Sequence, residues 1–237
     1  MEETGTLFLV PTPLGEHISS LFYDSYYQSI LDRTRYFIVE ETKTARRFIR
    51  RIIPDFPIDD SIFMVFNEHT VLNKVDEFIL PLQNGKDVCM LSEAGCPAVA
   101  DPGYPIVTAA HRHQIRVVPL IGPSSIMLAL MASGFPAQQF LFNGYLPVKS
   151  EERKKKIVFI EQQSHQQQLT QIFIETPYRN KSMYEDLIKI CHSYTMLCIA
   201  CQLTQPDEFI KTMSMSEWKK QNWEIPKSPA IFVLFST

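Results

Sequence analysis

Short apolar runs alternate along the first half of the chain with segments whose apolar residues recur every three or four positions. The runs Thr6–Val10, Tyr36–Val39, Ser61–Val65, Val88–Leu91 and Arg116–Leu120 predict strands. Helical spacing lies between them, near Tyr23–Leu31, Thr44–Arg51, Leu72–Leu82 and Pro105–His113. Such alternation predicts βαβ units and a mainly parallel sheet. After Gly122 the rhythm changes: a helix over Ser124–Ser133, an aromatic strand over Phe140–Tyr145, a long polar stretch, Ser150–Gln168, and strands at Gln171–Glu175, Met196–Gln202, Glu208–Thr212 and Ala230–Phe235. The segment Arg179–Ser193 places Met183, Leu187 and Ile190 on one helical face, fit to cover that second set of strands. The pattern predicts two α/β domains, residues 1–121 and 122–237, with a ligand crevice between them.

Two strand-to-helix turns stand out: Ser92-Glu93-Ala94-Gly95-Cys96-Pro97, followed by Asp101-Pro102-Gly103, and Gly122-Pro123-Ser124-Ser125. Ligands of open α/β sheets bind outside the carboxyl ends of the strands, where such turns lie. Neither Gly-x-Gly-x-x-Gly nor Gly-x-x-x-x-Gly-Lys-Ser/Thr occurs, so a nucleotide phosphate is poorly provided for. Small side chains, prolines and free main chain suit a flat, adenosine-like, phosphate-free ligand instead. Two ordinary tight loops are the alternative.

With 237 residues, 45% of them hydrophobic, the chain can build a full core. No apolar run approaches the roughly 20 residues that span a bilayer, and Met1-Glu2-Glu3-Thr4 lacks the basic start of a secretory signal, which points to the cytoplasm. The five cysteines are odd in number, and Cys198-x-x-Cys201, on an apolar run without a second pair, reads as core thiols rather than a metal site. A net charge of −3 argues against broad nonspecific nucleic-acid binding. Basic residues do cluster, at Arg33, Arg35, Lys43, Arg46, Arg47, Arg50 and Arg51 and again at Arg153-Lys154-Lys155-Lys156; each cluster is either a solvated helix face or a phosphate track.

Taken in order, the blocks Leu9-Val10-Pro11-Thr12-Pro13-Leu14-Gly15, Glu40-Glu41-Thr42-Lys43, Asn67-Glu68-His69, Leu91 through Pro97, Asp101-Pro102-Gly103-Tyr104, Val118 through Ser125 and Phe142-Asn143-Gly144-Tyr145-Leu146-Pro147 resemble the ribosomal RNA small-subunit methyltransferase I family of the tetrapyrrole-methylase superfamily. The resemblance runs from Leu7 to about Arg179. It implies a tetrapyrrole-methylase-like α/β fold of two αβα domains, the N-terminal sheet mainly parallel and the C-terminal one mixed, a homodimer, and S-adenosylmethionine in the cleft between the domains. By matching position, Pro11 and Leu14 line the mouth after the first strand. Ser92, Glu93, Ala94, Gly95 and Pro97 contact the methionine part, and Gly122, Pro123, Ser124 and Ser125 open the next helix beside it. Phe142, Tyr178, Leu203 and Ala230 correspond loosely to the adenosine side.

Departures from the family pattern fall mainly on the acceptor side. Ser-Asp-Ala-Gly-Thr-Pro reads Ser92 through Pro97 with Glu93 and Cys96, and Glu-Asp-Thr-Arg reads Glu40-Glu41-Thr42-Lys43, without the planar guanidinium fork. Glu175-Thr176-Pro177-Tyr178-Arg179 survives as a block, whereas Cys201-Gln202-Leu203-Thr204-Gln205 lacks the usual Arg, Glu and Lys.

Methyl transfer from a sulfonium requires alignment and exclusion of water, and a sugar hydroxyl needs a carboxylate to take its proton. Glu41 is the first candidate base and Glu175 the second; a helix-terminal charge is the structural alternative for Glu41. Asp101 reads as an Asx-turn former and His69 as exposed or structural. Lys43, Arg46, Arg47 and Arg179 are expected on the substrate, with Arg50, Arg51 and Lys154 to Lys156 steering phosphate. The expected activity is 2′-O-methylation of ribosomal RNA in the small subunit. A tetrapyrrole-like small acceptor is one alternative, and an S-adenosylmethionine-binding protein impaired in catalysis is another.

Overall fold

The computed structural model describes residues 4–17, 23–70, 74–221 and 224–237. The sequence expectations on Met1-Glu2-Glu3 and on the helix start at Leu72 and Asn73 fall outside these. The chain forms two compact units, Met1–Pro123 and Ser124–Thr237.

Unit 1 alternates strictly: β1 (Thr6–Val10), α1 (Ser25–Arg33), β2 (Tyr36–Val39), α2 (Thr42–Ile52), β3 (Ile62–Val65), α3 (Val75–Gln83), β4 (Val88–Leu91), α4 (Tyr104–Arg112) and β5 (Arg116–Pro119). The sheet has the order β3-β2-β4-β1-β5, with every pair parallel. Side chains alternate across a strand, so each central strand buries both faces. Phe8, Val10, Phe37, Val39, Cys89 and Leu91 pack against α1 and α2, while Leu7, Ile38, Val88 and Met90 pack against α3 and α4. A wholly parallel sheet sets all five strand carboxyl ends, and therefore the turns after them, along one edge. Pro119 ends the edge strand β5, where a missing N–H disrupts no ladder.

Unit 2 runs α5 (Ser125–Ser133), β6 (Phe140–Tyr145), α6 (Ser150–Gln167), β7 (Thr170–Glu175), α7 (Asn180–Ile190), β8 (Met196–Cys201), β9 (Phe209–Ser214), α8 (Met215–Trp218) and β10 (Ala230–Phe235). Its sheet, β6-β7-β10-β8-β9, is mixed: β6 and β7 are parallel and the other pairs antiparallel. Ala230, Phe232 and Leu234 of β10 share a core with α6, α7 and α8, while α5 covers the other face and ends at Gly134 in the left-handed conformation.

The polar stretch Ser150–Gln168 proves to be helical. α6 buries a single stripe, Arg153, Ile157, Ile160, Glu161 and Ser164, at helical spacing. Two of those positions are charged, which hides the amphipathic signal. Arg153 is ion-paired to Asp186 at 2.6 Å, and Glu161 accepts hydrogen bonds from the Thr195 hydroxyl at 2.5 Å and the His192 amide at 2.8 Å. Among the described residues no helix is long and apolar enough to cross a membrane.

Candidate functional site

Three of the strand-end turns in unit 1 interlock. Thr12, just past β1, exchanges backbone hydrogen bonds with Gly95, past β4: the Thr12 amide donates at 2.9 Å and the Gly95 amide at 3.1 Å. The Thr12 hydroxyl donates to the Ser92 carbonyl at 3.1 Å, and the Ser92 hydroxyl donates to the Gly95 carbonyl at 2.7 Å. The turn after β5 closes the group. A Cβ on Gly122 would stand 2.3 Å from Cβ of Pro11, so only glycine permits the approach. Gly95 lies at φ +81°, and a side chain there would press on Leu14 at 3.2 Å and face the Pro123 carbonyl at 3.5 Å. Tyr27 donates its hydroxyl to the Pro11 carbonyl at 2.7 Å, fixing the first turn from below.

Pro11, Leu14, Ser92, Gly95, Gly122 and Pro123 are thus brought together. Glu93 and Ala94 are exposed beside them and Pro97 is buried beneath. Pro11, Ser92, Gly95 and Pro123 are buried, Leu14 and Gly122 are partly exposed, and the group is built mainly of small side chains, prolines and main chain.

The next turn along the edge follows β2. Glu41 caps α2, its Oε1 accepting from the Lys43 amide at 3.0 Å. Glu40 is half-buried and accepts from the Glu93 amide at 3.2 Å. Burial is the main cause that raises the Glu40 pKa above the ordinary 4.5, and the nearby charges of Asp101, Glu93 and Glu68 add to it, against the opposing Glu93 amide. Glu93 is held in turn by the Thr44 hydroxyl, which donates to its Oε1 at 3.1 Å. A cavity of about 280 Å³ opens here, walled by Thr12, Thr44, Arg47, Phe48, Arg51 and Glu93. Thr44, Arg47, Phe48 and Arg51 are one face of α2 at the i, i+3, i+4, i+7 spacing. That spacing was a signal in the sequence that could have singled out Thr44 and Phe48.

Arg46 points elsewhere. It pairs with Asp59 at 2.7 Å and lies over the Phe63 ring. Lys43 is exposed. Asp101 accepts from the Ala98 and Gly103 amides at 2.8 and 2.7 Å, the Asx-turn read from the sequence, and His69 is exposed next to Glu68. Cys198 and Cys201 are buried in β8 with free thiols.

In unit 2, strand register gathers the remaining residues at one end of the sheet. Ala230 faces Glu175 on one side and Cys201 on the other; Leu203 is buried just beyond β8, and Tyr178 is 96% exposed. Phe142 sits further down, opposite Ile172. Ser124 caps α5, its hydroxyl accepting from the Met127 amide at 3.4 Å, with Ser125 first in the helix.

Glu175 and Arg179 are bound to each other. Glu175 is fully buried; its Oε1 accepts from the Thr176 amide at 2.7 Å and its Oε2 lies 2.8 Å from Arg179 Nη2. The same guanidinium donates to the carbonyls of Leu146 and Pro147. The pair thereby ties the turn after β7 to the chain after β6. A carboxylate without solvent access and an arginine with three oxygens around it form a brace.

Comparison with known proteins gives a concordant result. Residues 28–218 match the family model of the tetrapyrrole (corrin/porphyrin) methylases. The chain is similar to ribosomal RNA small subunit methyltransferase I of Vibrio cholerae, with 32% identity over 89% of this chain and 69% of the relative. It is also similar to the protein of that name from Streptococcus pyogenes serotype M3, with 32% identity over 90% and 70%, and from Escherichia coli O157:H7, with 28% over 97% and 77%. Among solved structures, uroporphyrin-III-C-methyltransferase from Thermus thermophilus superposes with a TM-score of 0.55, covering 98% of this chain and 92% of its own at 17% identity, a likeness of fold.

Proposed function

Because the chain belongs to the tetrapyrrole methylase family, and within it to the ribosomal RNA small subunit methyltransferase I group, and is a methyltransferase, we propose that it uses S-adenosylmethionine to methylate a ribose 2′-hydroxyl of small-subunit ribosomal RNA. The observation that carries this reading is the interlocked set of turns in unit 1, with its glycine-only approach of Gly122 to Pro11, set beside a cavity of mixed charge.

S-adenosylmethionine supplies a methyl group on a sulfonium, whose positive charge disappears on transfer. The task of the chain is therefore alignment and exclusion of water. Pro11, Leu14, Ala94, Gly95 and Gly122 offer the flat face on which such a donor lies, and the hydrogen bonds among Thr12, Ser92 and Gly95 keep that face rigid. The acceptor hydroxyl must lose its proton as the new C–O bond forms. Glu93, which lines the cavity and is oriented by Thr44, is the better placed carboxylate; Glu41, whose Oε1 is taken up by the α2 cap, is second.

Calorimetry with S-adenosylmethionine, followed by single-turnover methylation of small subunits from cells lacking this gene and mass mapping of the RNA, tests the reading. The protein is expected to bind the donor and to place one methyl group on a ribose. Gly95→Arg should weaken the donor by roughly 100-fold or more, about 2.7 kcal/mol. Ala94→Arg, at an exposed position that leaves packing untouched, should weaken it in the same direction. An unmodified donor affinity in both variants, or a methyl group found on a base, overturns the proposal.

A further inference from the structure

Five of the basic residues around α2 fall into two groups. Arg33 pairs with Asp87 at 3.5 Å, Arg35 donates to the carbonyls of Asp32 and Thr34 and lies over Phe56, and Arg46 pairs with Asp59. Arg47 and Arg51 are exposed and have neither hydrogen-bond nor ion-pair partners among the described residues, although both wall the cavity. They are one helical turn apart on α2, a spacing that lets two guanidinium groups reach one phosphate, which each can bind bidentately. Glu93 and Glu16 line the same cavity. Ionised carboxylates only accept hydrogen bonds, so whatever faces them must donate.

Phe48 and Thr12 line the cavity as well. Next to Phe48, ring centroids 5.7 Å apart, the buried phenol of Tyr23 has no hydrogen-bond partner among the described residues. An anion, hydroxyl donors and a flat face are the parts of a nucleotide. A lone carboxylic acid or an apolar ring system uses only one kind of partner.

We propose that Arg47 and Arg51 are the phosphate grip of an acceptor-nucleotide subsite, which holds the RNA backbone so that the ribose hydroxyls face Glu93. The subsite rests on the reading of RNA as acceptor. It separates two jobs within one helix: Arg46 fastens α2 to the chain before β3, and Arg47 and Arg51 meet the substrate.

The test compares Arg47→Gln/Arg51→Gln with wild type and with Arg112→Gln/Arg116→Gln, which removes the same charge at the opposite end of the unit 1 sheet. Binding of small-subunit RNA is measured against salt, methylation of unmethylated small subunits is followed, and S-adenosylmethionine affinity is taken by calorimetry. For Arg47→Gln/Arg51→Gln the slope of log affinity against log salt should shallow by roughly 0.7, the value for one single-strand phosphate no longer neutralised. KM for the subunit should rise roughly tenfold or more at physiological salt, and donor affinity should hold. Arg47→Lys/Arg51→Lys should recover the slope but only part of the KM, since a point charge lacks the fork. The control should match wild type. An unchanged slope with a methylating wild type overturns the grip and leaves the RNA reading standing. A drop in donor affinity in the double variant also overturns it, assigning the arginines to the donor's carboxylate. If wild type binds the donor yet neither binds nor methylates RNA, the acceptor reading fails and the grip fails with it.

Discussion

The turn after β4 in unit 1 and the turn after β7 in unit 2 are built from similar parts: a glutamate near the strand end, a proline two to four residues further on, and a helix beyond. Arginines stand near both. In the first, Glu93 is exposed, oriented by one hydroxyl, and lines an open cavity with Arg47 and Arg51 without pairing to them. In the second, Glu175 is fully buried with its Oε2 2.8 Å from Arg179 Nη2, an ion pair that belongs to the protein itself. The presence of a charge in a turn therefore says little by itself. What matters is whether its partners belong to the protein. Charges satisfied internally hold the fold, and charges left facing open space are available to a ligand.

Removing one member of the buried pair should have the largest effect. Glu175→Ala leaves Arg179 without its counter-charge, and breaking such a pair costs roughly 3–5 kcal/mol. Urea unfolding should show that deficit, while the folded fraction keeps its donor affinity and its rate. If Glu175→Ala is as stable as wild type yet no longer transfers methyl groups, the second turn is catalytic and the contrast between the two turns disappears.

Glu93→Gln sharpens the contrast from the other side. The amide oxygen introduced by that substitution still accepts from Thr44 but no longer takes a proton, so kcat should fall roughly 100-fold or more, about 2.7 kcal/mol in the barrier, with stability and donor affinity held. Glu41→Gln keeps an oxygen for the helix cap and loses only the charge at the N-terminus of α2, about 0.3–1 kcal/mol of stability, and should leave kcat within a small factor. The reverse outcome, with the slower rate at Glu41, moves the proton acceptor to the cap of α2 and out of the cavity.

The sequence showed most of unit 1 because its central strands are buried on both faces and read as unbroken apolar runs; β1, β2 and β4 lie where those runs predict. It concealed α6 for the opposite reason. Arg153 and Glu161 occupy core positions and their partners, Asp186 and Thr195, are more than thirty residues away in sequence, so the stripe looked polar. The same blindness to distant partners applies at the site. The basic run on α2 was visible as a cluster, but only Asp59 reveals that Arg46 is committed and Arg47 is not. The glycine at 122 was recognisable from its block, whereas its reason, the Pro11 ring 2.3 Å from where a Cβ would stand, depends on two turns more than a hundred residues apart.

The smallest effect concerns Glu40, where the open turn borrows a little from the strategy of the closed one. Burial first, and then the surrounding acids, raise its carboxyl pKa above 4.5 in the folded protein. A carboxyl whose folded value is raised contributes stability that is complete below the unfolded value and lost as pH climbs through the folded one. As the pH climbs, Glu40 therefore becomes a burden on the fold. Replacing it with glutamine would keep an oxygen for the Glu93 amide without the charge. Glu40→Gln should accordingly melt slightly above wild type at pH 7, and the two curves should converge as the pH is brought below about 4.5. A variant that melts lower than wild type at pH 7, or a difference independent of pH, would show that the Glu40 charge is balanced by a cation the turn does not display, and the open turn would then resemble the closed one after all.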